Sequence, residues 1–126
     1  MKTIFSLILG SLLSTSALAV TYDITVKLSS NGKTITDGRF ILNEDQEAVL
    51  SKDENFIELV ASPNPRGIGM TIVSGIMTDD GDRTIVAKAE LIVANNKTSV
   101  VTLGKLTNPS EKITLTVSPK IVPTKN

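Results

Sequence analysis

The chain contains no Cys, no His and no Trp, and its 126 residues include one Tyr and three Phe. Each absence excludes something. Without Cys there is no disulfide to staple a thin core, no thiolate nucleophile or zinc ligand, and no acceptor for the lipid of a bacterial lipoprotein. Without His as well, acid–base and nucleophilic chemistry at neutral pH loses its usual carriers. The scarcity of aromatic rings argues against a stacked-ring sugar site, an outer-membrane barrel with aromatic girdles, and a base-stacking platform for nucleic acid. An excess of charge of one sign is missing too, since 13 Lys+Arg face 13 Asp+Glu. Neither a nucleic acid nor a membrane surface is therefore favoured electrostatically as a partner. No stretch offers the roughly 20 apolar residues that a transmembrane helix needs.

What is present begins at the N-terminus. Lys2 precedes an apolar-rich run over residues 4–13, and Ala17-Leu18-Ala19 follows. This pattern predicts a secretory signal peptide over residues 1–19 with cleavage before Val20, and hence a periplasmic or secreted protein. Residues 20–126 then form a single β domain with 12 basic and 13 acidic side chains, because Lys2 is the only charge in the leader.

Beyond Ala19 the apolar period is two. Tyr22, Ile24, Val26 and Leu28 alternate with polar neighbours over residues 21–29, and Asn31-Gly32 supplies the positive φ of a tight turn. Residues 39–43 and 47–51 form a short predicted hairpin across Glu44-Asp45-Gln46. Residues 55–61 make another strand, ended by Pro63-Asn64-Pro65-Arg66-Gly67 as a loop or sheet edge. Residues 68–77 and 84–93 flank Asp79-Asp80-Gly81-Asp82 as the longest hairpin. Residues 98–103 and 112–122 complete about eight short strands. The fold class expected is all-β, an antiparallel β-sandwich or small barrel. Gly67, Gly69 and Gly75 mark a bulge or bend, with the strand at residues 68–77 expected to coil between two sheets. The core is drawn from Ile24, Val26, Leu28, Ile57, Leu59, Ile72, Leu91, Val93, Val101, Ile113, Leu115 and Val117.

Few residues have the makings of a reactive site. Ser29, Ser30 and Lys33 surround a turn without the strand-to-helix elbow of a Ser nucleophile, and read as solvated turn residues. The Asp79-Asp80-Gly81-Asp82 run reaches Glu90 at its twelfth position, but Ile85, Val86 and Ala87 would fill the second half of a calcium loop. A hairpin turn explains it better. Glu44, Asp45 and Glu47 read as a solvated flank that discourages random strand pairing. Asn96-Lys97-Thr98 matches a glycosylation acceptor incidentally. No catalytic residue, metal or cofactor is expected.

Three segments, in order, resemble parts of the secretin family, which assembles outer-membrane export pores: residues 42–50 (LNEDQEAVL), residues 90–104 (ELIVANNKTSVVTLG) and residues 112–122 (KITLTVSPKIV). The first is similar to the family's Asn/acid, Gln, Glu and Ala lead into a strand. The second resembles its strand, turn and apolar strand ending in Gly, and the third its terminal strand through a Ser-Pro step to Ile-Val. The chain departs from the family in lacking a Gly-Gly pair at Gly104-Lys105 and the Pro-rich connection after it. The resemblance implies structural or assembly work and no catalytic residues.

The function expected is a small exported, non-enzymatic β-domain that binds protein partners, as an accessory of a bacterial envelope or secretion assembly. The alternative is a periplasmic small-ligand or enzyme-inhibitor module using its loops, residues 62–67 above all. Residues 55–61, which run into Pro63 and Pro65, and residues 112–122, which contain Pro119, are the expected sheet edges. Lys112, Thr114, Thr116 and Ser118 mark the strand to which a protein partner or a second copy would add.

Overall fold

A computed structural model describes residues 20–123; the predicted signal peptide lies outside them. Eight strands run β1 (Thr21–Ser30), β2 (Lys33–Asn43), β3 (Glu47–Lys52), β4 (Asn55–Asn64), β5 (Gly67–Met77), β6 (Arg83–Val93), β7 (Ser99–Gly104) and β8 (Lys112–Val122). They form two antiparallel sheets, ordered β2-β1-β8-β7 and β3-β4-β5-β6, packed as a sandwich.

Every strand neighbours the next in sequence except at β2/β3 and β6/β7, and β8 returns to pair with β1. This is the strand order of an up-and-down barrel parted along two seams. At each seam the chain changes sheet. The β2–β3 connection is tied to both layers, Glu44 N donating to Val20 O at 3.1 Å and Asp45 N to Ala61 O at 2.7 Å. The hairpin expected across Glu44-Asp45-Gln46 is thus a crossover, with β2 pairing β1 and β3 pairing β4. Two apolar runs around a polar triplet look alike in either arrangement.

Local chemistry sets the turns. Asn31 (φ 53) and Gly32 (φ 80) both sit at positive φ in a two-residue turn between Ser30 and Lys33, as a type I′ hairpin requires. Gly81 (φ 87) closes the β5–β6 loop, its N–H bonding Thr78 O at 2.9 Å. The bulge expected in β5 occurs at Ser74/Gly75, yet the strand remains in one sheet between β4 and β6. A Cβ on Gly75 would collide with Thr84 O and lie 3.0 Å from Phe56 Cε1. This glycine serves a close approach, not a change of sheet.

Alternation sends Tyr22, Ile24, Val26, Leu28, Phe40, Leu42, Ile113, Leu115 and Val117 inward from one sheet. They meet Ile57, Leu59, Ala61, Ile68, Met70, Ile72, Ala87, Ala89 and Val93 from the other. Full burial of such Leu and Ile side chains stabilises by roughly 1.5–3 kcal/mol each. Of the core expected from sequence, Leu91 and Val101 are only half-buried. They lie on β6 and β7, which have no neighbouring strand to cover one flank. Phe56 is fully buried but belongs to the opposite face of β4 from Ile57, Leu59 and Ala61.

Candidate interface at the sheet edges

The residues expected to receive a partner do not lie on an edge. β8 is flanked by β1 and β7, so Thr116 stands between Lys27 and Val100, and Thr114 between Ser29 and Thr102. Ser118 pairs with Thr25, and its hydroxyl is 2.9 Å from that of Thr98. Lys112 pairs with Gly104 while its Nζ donates to Pro109 O at 3.3 Å. The direction of the missing proline donor explains the error. Pro119 O accepts from Asn96 N at 3.0 Å, on the β7 side. Its nitrogen points the same way, beyond the start of β7, and the ladder to β1 is untouched. The second expected edge, β4, is likewise internal. Ala61 O faces the β3 side, Pro63 therefore does too, and β3 pairs only as far as Val60.

The edges are β2, β3, β6 and β7. Each carries an exposed β-branched residue: Ile41 at 65%, Val49 at 51%, Ile92 at 49% and Val100 at 63%. Three edges are also defended by charge on the strand itself, β2 by Lys33, Asp37 and Arg39, β3 by Glu47 and Lys52, and β6 by Arg83, Lys88 and Glu90. β7, SVVTLG, has no charged residue and no proline.

The open hydrogen-bonding groups follow from the ladders. Lys105 N donates to Glu111 O at 2.9 Å, in register with β7–β8, so alternation directs Leu103, Val101 and Ser99 toward β8. The N–H and C=O of Val100 and Thr102 face away from it. On β3, the two-residue turn at Asp53-Glu54 makes Lys52 and Asn55 the hydrogen-bonded pair, which turns Val49 and Ser51 outward in the same sense.

Electrostatically, the tightest ion pair lies on the outer face of the first sheet. Arg39 holds Asp23 through two bonds, Nε–Oδ1 at 2.9 Å and Nη2–Oδ2 at 2.6 Å. That hydrogen bonding lowers the Asp23 carboxyl below its ordinary range, with burial opposing and the charges of Arg39 and Lys120 assisting. Burial raises the Tyr22 phenol, helped by Glu44 and Asp45. The Asp79, Asp80 and Asp82 side chains are exposed on the β5–β6 loop. Among the described residues no three His, Cys, Asp or Glu side chains converge as a metal site. Ser30, at the Asn31-Gly32 turn, donates its hydroxyl to Lys112 O at 3.2 Å. Residues 62–64 belong to β4, leaving only the Pro65-Arg66 turn as loop.

Sequence reasoning missed β3 and β7 as edges, although one signal was there. They are the two shortest strands, six residues each, and shortness is a common protection of edges. No protein-family model matches the chain, and neither a curated protein nor a solved structure matches it.

Proposed function

We propose that this is an exported, non-enzymatic β-domain that binds protein chains along the edges of its sheets, as an accessory of a bacterial envelope or secretion assembly. The observation that carries the reading is the exposed β-branched residue on every edge strand, Ile41, Val49, Ile92 and Val100. Such a residue beside unpaired backbone groups suits strand addition, in which main-chain bonds give affinity and alternate side chains give specificity. A chain without His or Cys is better suited to binding than to neutral-pH catalysis. The secretin-like segments support an envelope setting, and two of them span residues of β3 and all of β7.

Photocrosslinking in cells tests this, with the reactive side chain placed at Val100, at Val49 or at Lys27, which projects from the interior strand β1. Capture of a defined envelope protein or of the chain itself from an edge position, and not from Lys27, is the expected result. Equal capture from all three positions, or none from the edges, removes the proposal.

A further inference from the structure

β3 and β7 lie in different sheets and on opposite sides of the sandwich, β3 beside the β2 seam and β7 beside the β6 seam. Their surroundings carry opposite charge. Residues 44–54 contain Glu44, Asp45, Glu47, Asp53 and Glu54 against Lys52 alone. Among the described residues, none of these five acids is in an ion pair. Residues 94–108, around β7, contain Lys97 and Lys105 and no acid. Lys97 is exposed and likewise in no ion pair among the described residues, while Lys105 holds Glu111 at 3.0 Å. The two strands match in length and both turn unpaired backbone outward.

From this complementarity we infer that β7 of one copy accepts β3 of a second copy as its next strand. The inference rests on the edge-binding reading above and names the partner. With the strands antiparallel and Thr102 opposite Val49 of the second copy, Lys97 lies beside Asp53 and Glu54, and the pairing stops short of Leu106, whose N–H already bonds Val86 O of β6 at 2.8 Å. The exposed Val100 and Val49 then become diagonal neighbours on one face. Pairing β7 with another β7 would bring lysines together, and β3 with β3 would oppose acids, so the contact is heterologous. Each contact leaves one β3 and one β7 open, and the assembly extends head to tail. With 12 bases and 13 acids in residues 20–126, the near balance of charge leaves little net repulsion to oppose it.

Sedimentation velocity on the purified chain, with Thr102→Pro and Val49→Pro variants, tests the inference. Both nitrogens point away from the paired neighbour, so neither proline removes a bond of the fold. The unmodified chain is expected to form species larger than a monomer, weakening as salt rises. Each variant alone stays monomeric. An equimolar mixture gives a complex of twice the monomer mass and nothing larger, because one variant keeps β3 open and the other β7. If circular dichroism shows a proline variant unfolded, Thr102→Lys and Val49→Lys replace the pair. A variant that assembles alone like the parent, or a mixture that stays monomeric while the parent assembles, overturns the head-to-tail contact. A parent chain that is monomeric throughout, yet crosslinks to another protein from Val100, overturns the second copy as partner and leaves the edge-binding reading standing. A monomeric parent with no edge crosslink overturns both.

Discussion

The guanidinium carbon of Arg83 lies 4.1 Å from the centroid of the Phe56 ring, and its Nη2 bonds Glu58 Oε2 at 2.9 Å. Arg83, Phe56 and Glu58 thereby form a small packed unit on the outer face of the second sheet, apart from the main core. Gly75, cross-strand from Phe56, leaves the ring room to lie on the backbone. Phe56→Ala is expected to cost about 3–5 kcal/mol, as for a fully buried core aromatic. Gly75→Ala should cost about 1–3 kcal/mol through overpacking against Thr84 O and the ring. Arg83→Ala should cost under about 1 kcal/mol, since the cation is partly exposed. Urea unfolding of the three variants checks the order, and a Gly75→Ala chain as stable as the parent would contradict the close approach.

Leu115 and Leu91 both face inward, but only Leu115 is fully buried. Leu115→Ala on the interior strand β8 is expected to cost about 2–5 kcal/mol. Leu91→Ala, on the edge strand β6, should fall below it because its side chain already meets solvent. Thermal melts of the two variants decide this, and a larger loss at Leu91 would contradict the edge position of β6.

Tyr22 is the only tyrosine, so the phenolate absorbance of the folded chain reports one residue. Burial, then Glu44 and Asp45, raise its pKa. Its titration midpoint should therefore lie above the ordinary value of about 10. The fold favours the neutral phenol, so this contribution to stability is present at neutral pH and is lost as pH rises past the unfolded value and through the folded one. Glu44→Gln with Asp45→Asn should bring the midpoint partway back. A midpoint at or below the ordinary value would contradict the burial of the Tyr22 phenol beside Glu44 and Asp45.

The acid limb of stability turns on Asp23. Its pKa is lowered by the hydrogen bonds from Arg39, so its contribution is present above the unfolded carboxylate value and lost as pH falls through the depressed folded value. Melting midpoints measured downward from neutral pH should fall less steeply in Asp23→Asn than in the parent. The difference should be small and shrink with salt, because Arg39 is largely exposed. Identical acid limbs at low salt would remove Asp23 as a contributor.

Alternation made the eight strands, their faces and the Asn31-Gly32 turn legible in the sequence, since a period of two fixes which side chains share a face. It carries no information about which strand lies alongside. Thr114 and Thr116 alternate with Leu115 and Val117 as well between two neighbours as beside one. The apolar spacing at residues 39–51 likewise fits a hairpin or a step between sheets. Proline misled because its position was visible and its direction was not. The edge site was legible only through strand length and the charges flanking β3 and β7.

The direction of the N–H at each position separates two otherwise similar substitutions. Thr116 lies on β8 with Val117, Leu115 and Ile113 turned toward β7, so its own N–H points to β1 opposite Lys27. Thr116→Pro therefore removes a central ladder bond and leaves the Lys27 carbonyl without its donor, costing about 0.5–1.5 kcal/mol for that bond alone, before any ring clash. Thr102 is one strand away and exposed, and its N–H faces the open edge. Thr102→Pro should stay within about 0.5 kcal/mol of the parent, as other surface substitutions do. Denaturant titrations of the two variants, made at concentrations where the chain is monomeric, give the comparison. Unfolding by Thr102→Pro together with tolerance of Thr116→Pro would reverse the positions assigned to β7 and β8. The assigned order requires the opposite, because only an interior strand has a partner waiting on both sides for every N–H it carries.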